Sequence, residues 1–204
     1  MNPAVFMDRD GVINELVCHQ EREVIDSPFT PGQFKLIPGV KVLTALHDNG
    51  YLTILVSNQP GIAKGHFTAK KFELIRQKMN SELMTDGAEL NGKYYCLHHP
   101  EAVIEKYRVQ CECRKPFPGL LFKATRENNI DLKQSWLIGD NLSDIQAGET
   151  AGCRTILIGT MKYEMRRLMT EKNVFPDKIV ENIGDTVRNH ILLKEYVLSL
   201  PEAL

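Results

Sequence analysis

The tightest constraint in this chain lies near its start, where the apolar run Ala4-Val5-Phe6-Met7 stops abruptly at Asp8-Arg9-Asp10-Gly11. A run this short and this apolar reads as a buried strand. Asp8 and Asp10 then stand where the strand leaves its sheet, and Gly11 permits a tight turn there. In a parallel α/β sheet the carboxyl ends of the strands are where ligands bind. Two carboxylates one residue apart repel each other unless a cation lies between them or one keeps its proton. Both resolutions lead to chemistry. The alternative is a solvated Asp-Arg-Asp-Gly turn with no role.

The rest of the chain supplies such a sheet. Pro38-Gly39-Val40 opens a helix with Val40, Leu43 and Leu46 on one face and Gly50 as its stop, and Tyr51–Val56 is a second strand running into Ser57-Asn58-Gln59. Strand, helix and strand in that order make a crossover and a parallel pair, so Ser57 arrives on the same sheet edge as Asp8. Thr68 is placed to cap a helix carrying Phe72, Ile75, Met79 and Leu83, and Gly92–Leu97 reads as a third strand. Pro118 suits the first turn of a helix with Leu120, Leu121 and Ala124. Ser135–Gly139 and Arg154–Ile158 are further strands, followed by a basic helix-like piece, a short Lys178–Val180 strand and a closing amphipathic helix with Val187, Ile191, Leu192 and Tyr196. The expected fold is a Rossmann-like three-layer α/β/α sandwich around a central parallel sheet, one domain over residues 1–204. Glu15–Gln33, with Pro28, Pro31 and Gly32, shows little periodicity and reads as a long surface loop leaving directly from the acidic turn.

Composition removes several function classes. A net charge of −1 provides no global field for nucleic acid or an anionic membrane, so an anionic substrate must be held by local charges. No apolar run approaches membrane-spanning length, and the chain opens on a strand without a basic, hydrophobic leader, which leads us to expect a cytoplasmic enzyme. In that setting the five cysteines are read for metal before disulfides.

Their spacing supports metal. Cys96-Leu97-His98 and Cys111-Glu112-Cys113 are paired clusters of soft or borderline ligands flanking a polar loop with no core of its own. Cys96, His98, Cys111 and Cys113 fit a closed tetrahedral Zn²⁺ site that would staple the loop at about residues 96–113. His99 is the substitute for His98, which is preferred because Cys-x-His projects both side chains to one side of an extended segment. Cys18 and Cys153 stand outside both pairs and read as plain thiols. Directly after the second pair come Arg114 and Lys115 in a proline-bounded turn, two cations suited to gripping phosphate. Asp140 follows a strand and a glycine as Asp8 follows its strand, and Asp144 lies one helical turn further on.

The order of these signals carries more than any one of them. Strand-Asp-x-Asp-Gly, strand-Ser, Lys, then strand-Gly-Asp-x-x-x-Asp resembles the motif succession of the haloacid dehalogenase (HAD) superfamily of phosphohydrolases over most of the chain. The segments Tyr94–Pro100, Cys111–Pro116 and Ser57-Asn58-Gln59 with Gly61-Ile62-Ala63 narrow the resemblance to the histidinol-phosphatase-related branch, and within it to the D-glycero-D-manno-heptose 1,7-bisphosphate 7-phosphatases.

That resemblance implies a mechanism. Asp8 would be the nucleophile forming an aspartyl-phosphate, and Asp10 the acid and base. Mg²⁺ would be held by the carboxylates of Asp8 and Asp140 and the main-chain carbonyl of Asp10. Ser57 and Lys115 would bind the transferred phosphoryl oxygens, Asn58, Gln59 and Arg114 the remainder of the substrate, and Asp144 would orient Lys115 or a metal-bound water. Zinc would be structural. The substrate would be a small sugar phosphate, with histidinol phosphate the rival, and we expect a monomer with neither nucleic-acid nor membrane partner. A phosphoryl-accepting switch is opposed by Asp10, because a positioned acid/base hastens loss of the phosphate. A zinc-stapled binding module with a dead site is opposed by the intact set of acids and Lys115. Too few residues separate Ser57 from Lys115 for a cap domain, so the Glu15–Gln33 and zinc loops should wall an open site. The chain departs from the heptose enzymes in its longer loop after Asn14 and in Asn141, where relatives often carry lysine.

Overall fold

The computed structural model describes residues 1–160 and 163–192. β1 (Ala4–Met7) is fully buried along its length and is followed by a small antiparallel hairpin, β2 (Val17–His19) and β3 (Val24–Asp26). The chain continues through α1 (Leu43–Asp48), β4 (Leu52–Asn58), α2 (Ala69–Thr85), β5 (Gly92–Cys96), α3 (Gly119–Asn128) and β6 (Trp136–Gly139). It then runs through α4 (Leu142–Ala151), β7 (Arg154–Ile158), α5 (Tyr163–Lys172), β8 (Lys178–Val180) and α6 (Ile183–Thr186).

The main sheet has the order β5-β4-β1-β6-β7-β8 and is parallel throughout. Both faces are covered, as a parallel sheet requires. Val5, Met7, Leu55 and Ile138 point into a core shared with Leu43 and Leu46 of α1, Ile75, Met79 and Leu83 of α2, and Val187 and Ile191. Ala4, Phe6, Ile54, Val56 and Leu137 point the other way, onto Leu120, Leu121 and Ala124 of α3 and Ala147 and Ala151 of α4. This is the expected three-layer sandwich, built by period-2 alternation in strands that are apolar on both faces. β1 lies between β4 and β6, so the ends of three adjacent strands deliver Asp8, Ser57 and Asp140 to one edge.

Local chemistry sets the element ends. Thr68 caps α2 by accepting the Lys71 N–H, and Asn141 caps α4 through a reciprocal box with Asp144. Gly152 closes α4 in the left-handed region, at φ 85°.

Three expectations are corrected. The Glu15–Gln33 segment contains the β2–β3 hairpin, whose three-residue strands are too short to show an alternation. The helix opened by Pro38-Gly39-Val40 is entered from Gly39 at φ 94°, starts as a 3₁₀ turn at Val40–Val42, as first turns of helices often do, and becomes α-helical at Leu43. The closing helix is α6 followed by a π-helical stretch over Val187–Leu192, and Tyr196 lies outside the described residues. Among the described residues, Ser57 to Lys115 contains α2, β5 and the cysteine-flanked loop and no further sheet, so no large cap is present. No helix among the described residues is long and apolar enough to cross a membrane.

Candidate active site and metal centre

At the carboxyl edge of β1, β4 and β6, three acids and one lysine crowd together. Asp8, Asp140 and Asp144 each offer a carboxylate oxygen within 4.8 Å of the others. Lys115 Nζ lies 3.1 Å from Asp8 Oδ1 and 2.5 Å from Asp144 Oδ1, and it donates to the Val56 carbonyl at 2.9 Å. Lys115 and Asp144 are both buried, so this pair is shielded from the screening that weakens surface pairs. Burial by itself would lower the Lys115 ammonium, but Asp144 and Asp8 beside it reverse that effect and hold it well above the usual lysine range. Burial pushes Asp144 up as well, despite Lys115.

Asp140 is pushed up to about 8, first by burial and then by the charges of Asp8 and Asp144. Gly11 makes its position possible. At φ 77° the residue is in the left-handed region, and a Cβ there would collide with the Asp140 carboxylate. One lysine facing three acids leaves excess negative charge among hard oxygen donors, and this donor set fits a divalent cation such as Mg²⁺. The acids that cluster are Asp8, Asp140 and Asp144, whereas the Asp10 carboxylate turns toward Arg9, Asn14 and Gln59.

The residues after Ser57 are engaged inside the protein. Asn58 and the Lys115 main chain exchange two hydrogen bonds of 3.0 Å, which ties the lysine turn to the end of β4. Gln59 Nε2 donates to Asp10 Oδ2 at 2.5 Å and to Ser57 Oγ at 3.0 Å. Both side chains are expected on substrate, and their amides also brace the groups around them, Asn58 the lysine turn and Gln59 the Asp10 carboxylate and the Ser57 hydroxyl.

The four expected zinc ligands come together. The Sγ atoms of Cys96, Cys111 and Cys113 are 3.1–3.6 Å apart, and His98 Nδ1 is 3.5 Å from Cys113 Sγ and 3.9 Å from Cys96 Sγ. Tetrahedral Zn²⁺ with sulfur at ~2.3 Å and nitrogen at ~2.0 Å sets sulfur–sulfur at about 3.7 Å and sulfur–nitrogen at about 3.5 Å. Every measured spacing is within roughly 0.6 Å of these values, so the residues fit the metal. His99 faces away from the cluster, its Nδ1 accepting the Glu101 N–H at 3.1 Å. Cys18 is exposed and Cys153 is buried, its thiol pushed up to about 12 by that burial. Arg114 reaches back to the His98 carbonyl at 3.2 Å, linking the cation turn to the cysteine-flanked loop.

Two contributors were not foreseen. Arg9 is fully buried and forks onto the Asp10 carboxylate, and Asn14 donates to the same carboxylate at 3.0 Å. Arg9 sits between two acids in an apparent turn, and nothing in its local sequence reveals that it is inside.

An aspartate-bearing strand flanked by a serine strand and a second acid strand, with a buried lysine set among their ends, is the arrangement of a phosphatase of the HAD type. A family model described as HAD-hydrolase-like matches residues 112–186, the part holding Lys115, Asp140 and Asp144. D-glycero-beta-D-manno-heptose-1,7-bisphosphate 7-phosphatase from Photorhabdus laumondii is 40% identical over 185 residues, covering 90% of this chain and 92% of that protein. The enzyme of the same name from Escherichia coli K12 is 36% identical over 99% of this chain and 93% of its own length. Among solved structures, D,D-heptose 1,7-bisphosphate phosphatase from B. bronchiseptica, complexed with magnesium and phosphate, superposes with a TM-score of 0.75 at 27% identity, covering 95% of this chain and 99% of that one. The chain belongs to this heptose-bisphosphate phosphatase family of HAD hydrolases.

Proposed function

We propose that the protein hydrolyses the 7-phosphate of D-glycero-β-D-manno-heptose 1,7-bisphosphate through a phosphorylated Asp8. The observation that carries the chemistry is the Lys115 ammonium held between Asp8 and Asp144, at the strand edge that also receives Ser57 and Asp140. The relatives' shared activity supports the substrate.

Asp8 attacks phosphorus in line, the ester P–O bond breaks, and Asp10 protonates the departing alcohol. Asp10 then removes a proton from the water that displaces Asp8. Lys115 and Ser57 hold the phosphoryl oxygens as charge redistributes over them. Asp144 keeps Lys115 oriented. Asp8 and Asp140, with the Asp10 carbonyl, are the residues that would hold Mg²⁺, which when bound supplies charge neutralisation for the incoming phosphate. Cys96, His98, Cys111 and Cys113 would hold Zn²⁺ in a structural role, since four protein ligands leave no position for substrate.

The deciding experiment compares phosphate release from heptose 1,7-bisphosphate and histidinol phosphate in the presence of Mg²⁺. We expect kcat/KM to favour the heptose by about 10²-fold or more, the scale that a site built around polar recognition achieves. Preference for histidinol phosphate would overturn the substrate, and retained turnover in Asp8→Asn would overturn the nucleophile.

A further inference from the structure

Arg9 is an unusual inhabitant of a protein interior. It is 0% exposed, and a buried guanidinium is costly unless paired and hydrogen-bonded. Its pairing is confined to one carboxylate. Nε and Nη2 lie 3.2 and 3.0 Å from Asp10 Oδ1, and Nη2 lies 3.1 Å from Oδ2. The Phe72 ring covers the guanidinium at 5.9 Å, and Nη1 is left without a partner. Asn14 Nδ2 adds a donor to Oδ1 at 3.0 Å, and Gln59 Nε2 adds one to Oδ2 at 2.5 Å. The Arg9 main-chain N–H donates to Asp8 Oδ1 at 2.7 Å, so the same residue touches both acids.

This geometry points to Arg9 as a positioning residue that fixes the plane and rotamer of Asp10 for proton transfer. The terminal torsion of an aspartate is broad, so its plane is set by what surrounds it. A forked guanidinium sets that plane in a way that a single point donor does not. Asp10 keeps 13% of its side chain exposed, so its carboxyl is not sealed from the site. The carboxyl hands its proton to the leaving oxygen as the ester P–O bond breaks and the bond from Asp8 to phosphorus forms. In the second half it takes a proton from the attacking water as the Asp8–phosphorus bond breaks. Arg9 gains and loses nothing in either half.

The proposal rests on the reading of Asp10 as acid and base, and leaving-group chemistry separates the two ideas. Departure of the heptose 7-alkoxide needs a proton, whereas p-nitrophenolate departs without one. kcat/KM reports only the steps through the first product release. Arg9→Met should lower kcat/KM on heptose 1,7-bisphosphate by about 10²-fold while lowering it on p-nitrophenyl phosphate by less than about tenfold. Arg9→Lys, which keeps the charge and loses the fork, should show the same split. Equal losses on both substrates, or no loss, would overturn the positioning role. If Arg9→Met does not fold, Arg9→Lys decides, and failure of both to fold would make Arg9 purely structural and overturn the proposal. Asp10→Asn is the control for the underlying reading. If it shows no split, the assignment of Asp10 fails; if it shows the split and the Arg9 variants do not, the Arg9 proposal alone fails.

Discussion

The strand edge and the cysteine-flanked loop sit next to each other and are held in place by opposite means. Asp8, Ser57 and Asp140 stand on or just past β1, β4 and β6, strands paired on both sides and buried on both faces. Their geometry follows from the sheet and needs no further staple. Between Leu97 and Gln110, by contrast, Ala102 is the one buried residue. Leu97 and Tyr107 of that loop pack against the Phe29, Ile62, Phe67 and Phe72 cluster while Val103, Ile104 and Val109 stay exposed, and its two ends converge on the Cys96, His98, Cys111 and Cys113 cluster. Lys115 belongs to both regions. Its position in sequence is set by the loop that ends at Cys113, and its ammonium is set by the acids of the sheet. One region therefore concentrates charge on a rigid floor, and the other delivers the opposing charge from a flank whose two ends meet at the cysteine–histidine cluster.

Breaking the shared residue should have the largest effect. Lys115→Met leaves Asp8 and Asp144 facing each other without compensation, and removing one partner of a buried pair costs about 3–5 kcal/mol. We expect a clear drop in the urea midpoint together with loss of turnover. Unchanged stability would mean that the sheet edge does not depend on the cation.

A cut on the loop side should be smaller and local. Cys113→Ser should abolish stoichiometric zinc by metal analysis and lower the thermal midpoint by about 5 °C, equivalent to ~2 kcal/mol for a chain of this size. Hydrogen exchange should quicken between residues 97 and 110 while β1, β4 and β6 stay protected. A uniform loss of protection would erase the contrast between the two regions.

The smallest effect concerns pH and should appear only at the strand edge. Asp140 keeps its proton in the metal-free fold up to about 8, whereas an unfolded chain releases it near 3.8. The resulting stability is complete below the lower value and declines as pH rises toward the upper one. A divalent cation needs the ionised form, so it must displace this proton at neutral and acidic pH. The stabilisation by Mg²⁺ in thermal melts should therefore be greater at pH 8.5 than at pH 6.5, by about 1 kcal/mol, with affinity changing by at most about tenfold per unit. Asp140→Asn should remove the difference, and zinc retention should be indifferent to the same pH step. A pH-independent magnesium effect would remove Asp140 from the cation site.

Much of this organisation was legible in the amino-acid order, and the limits are as informative as the successes. The strands that end in Asp8, Ser57 and Asp140 announce themselves through apolar runs cut off by polar residues. The Cys96–Cys113 cluster announces itself through spacing, and Thr68 through capping chemistry. The β2–β3 hairpin did not, because three residues per strand carry no measurable period and Val24 and Ile25 are exposed. The internal partners of Asn58 and Gln59 were not legible either, since polar residues at a strand end look the same whether they touch a ligand or brace those that do. Their engagement with Lys115 and Asp10 depends on a turn 57 residues away and on an acid 49 residues back.

Asp8, Asp10 and Arg9 show where the division falls. That the acids lie at a strand end follows from the residues immediately around them, since burial of a short apolar run and a turn at Gly11 are local events. That Asp10 accepts from Arg9, Asn14 and Gln59 while Asp8 faces Lys115 is settled by elements brought together from across the chain. Hydrogen-bond partners and burial are sums over neighbours in space, and a charge placed between two identical acids in sequence has no local reason to choose one. The sheet makes that choice, by burying the Arg9 side chain beside Phe72 and turning Asp8 toward the buried lysine.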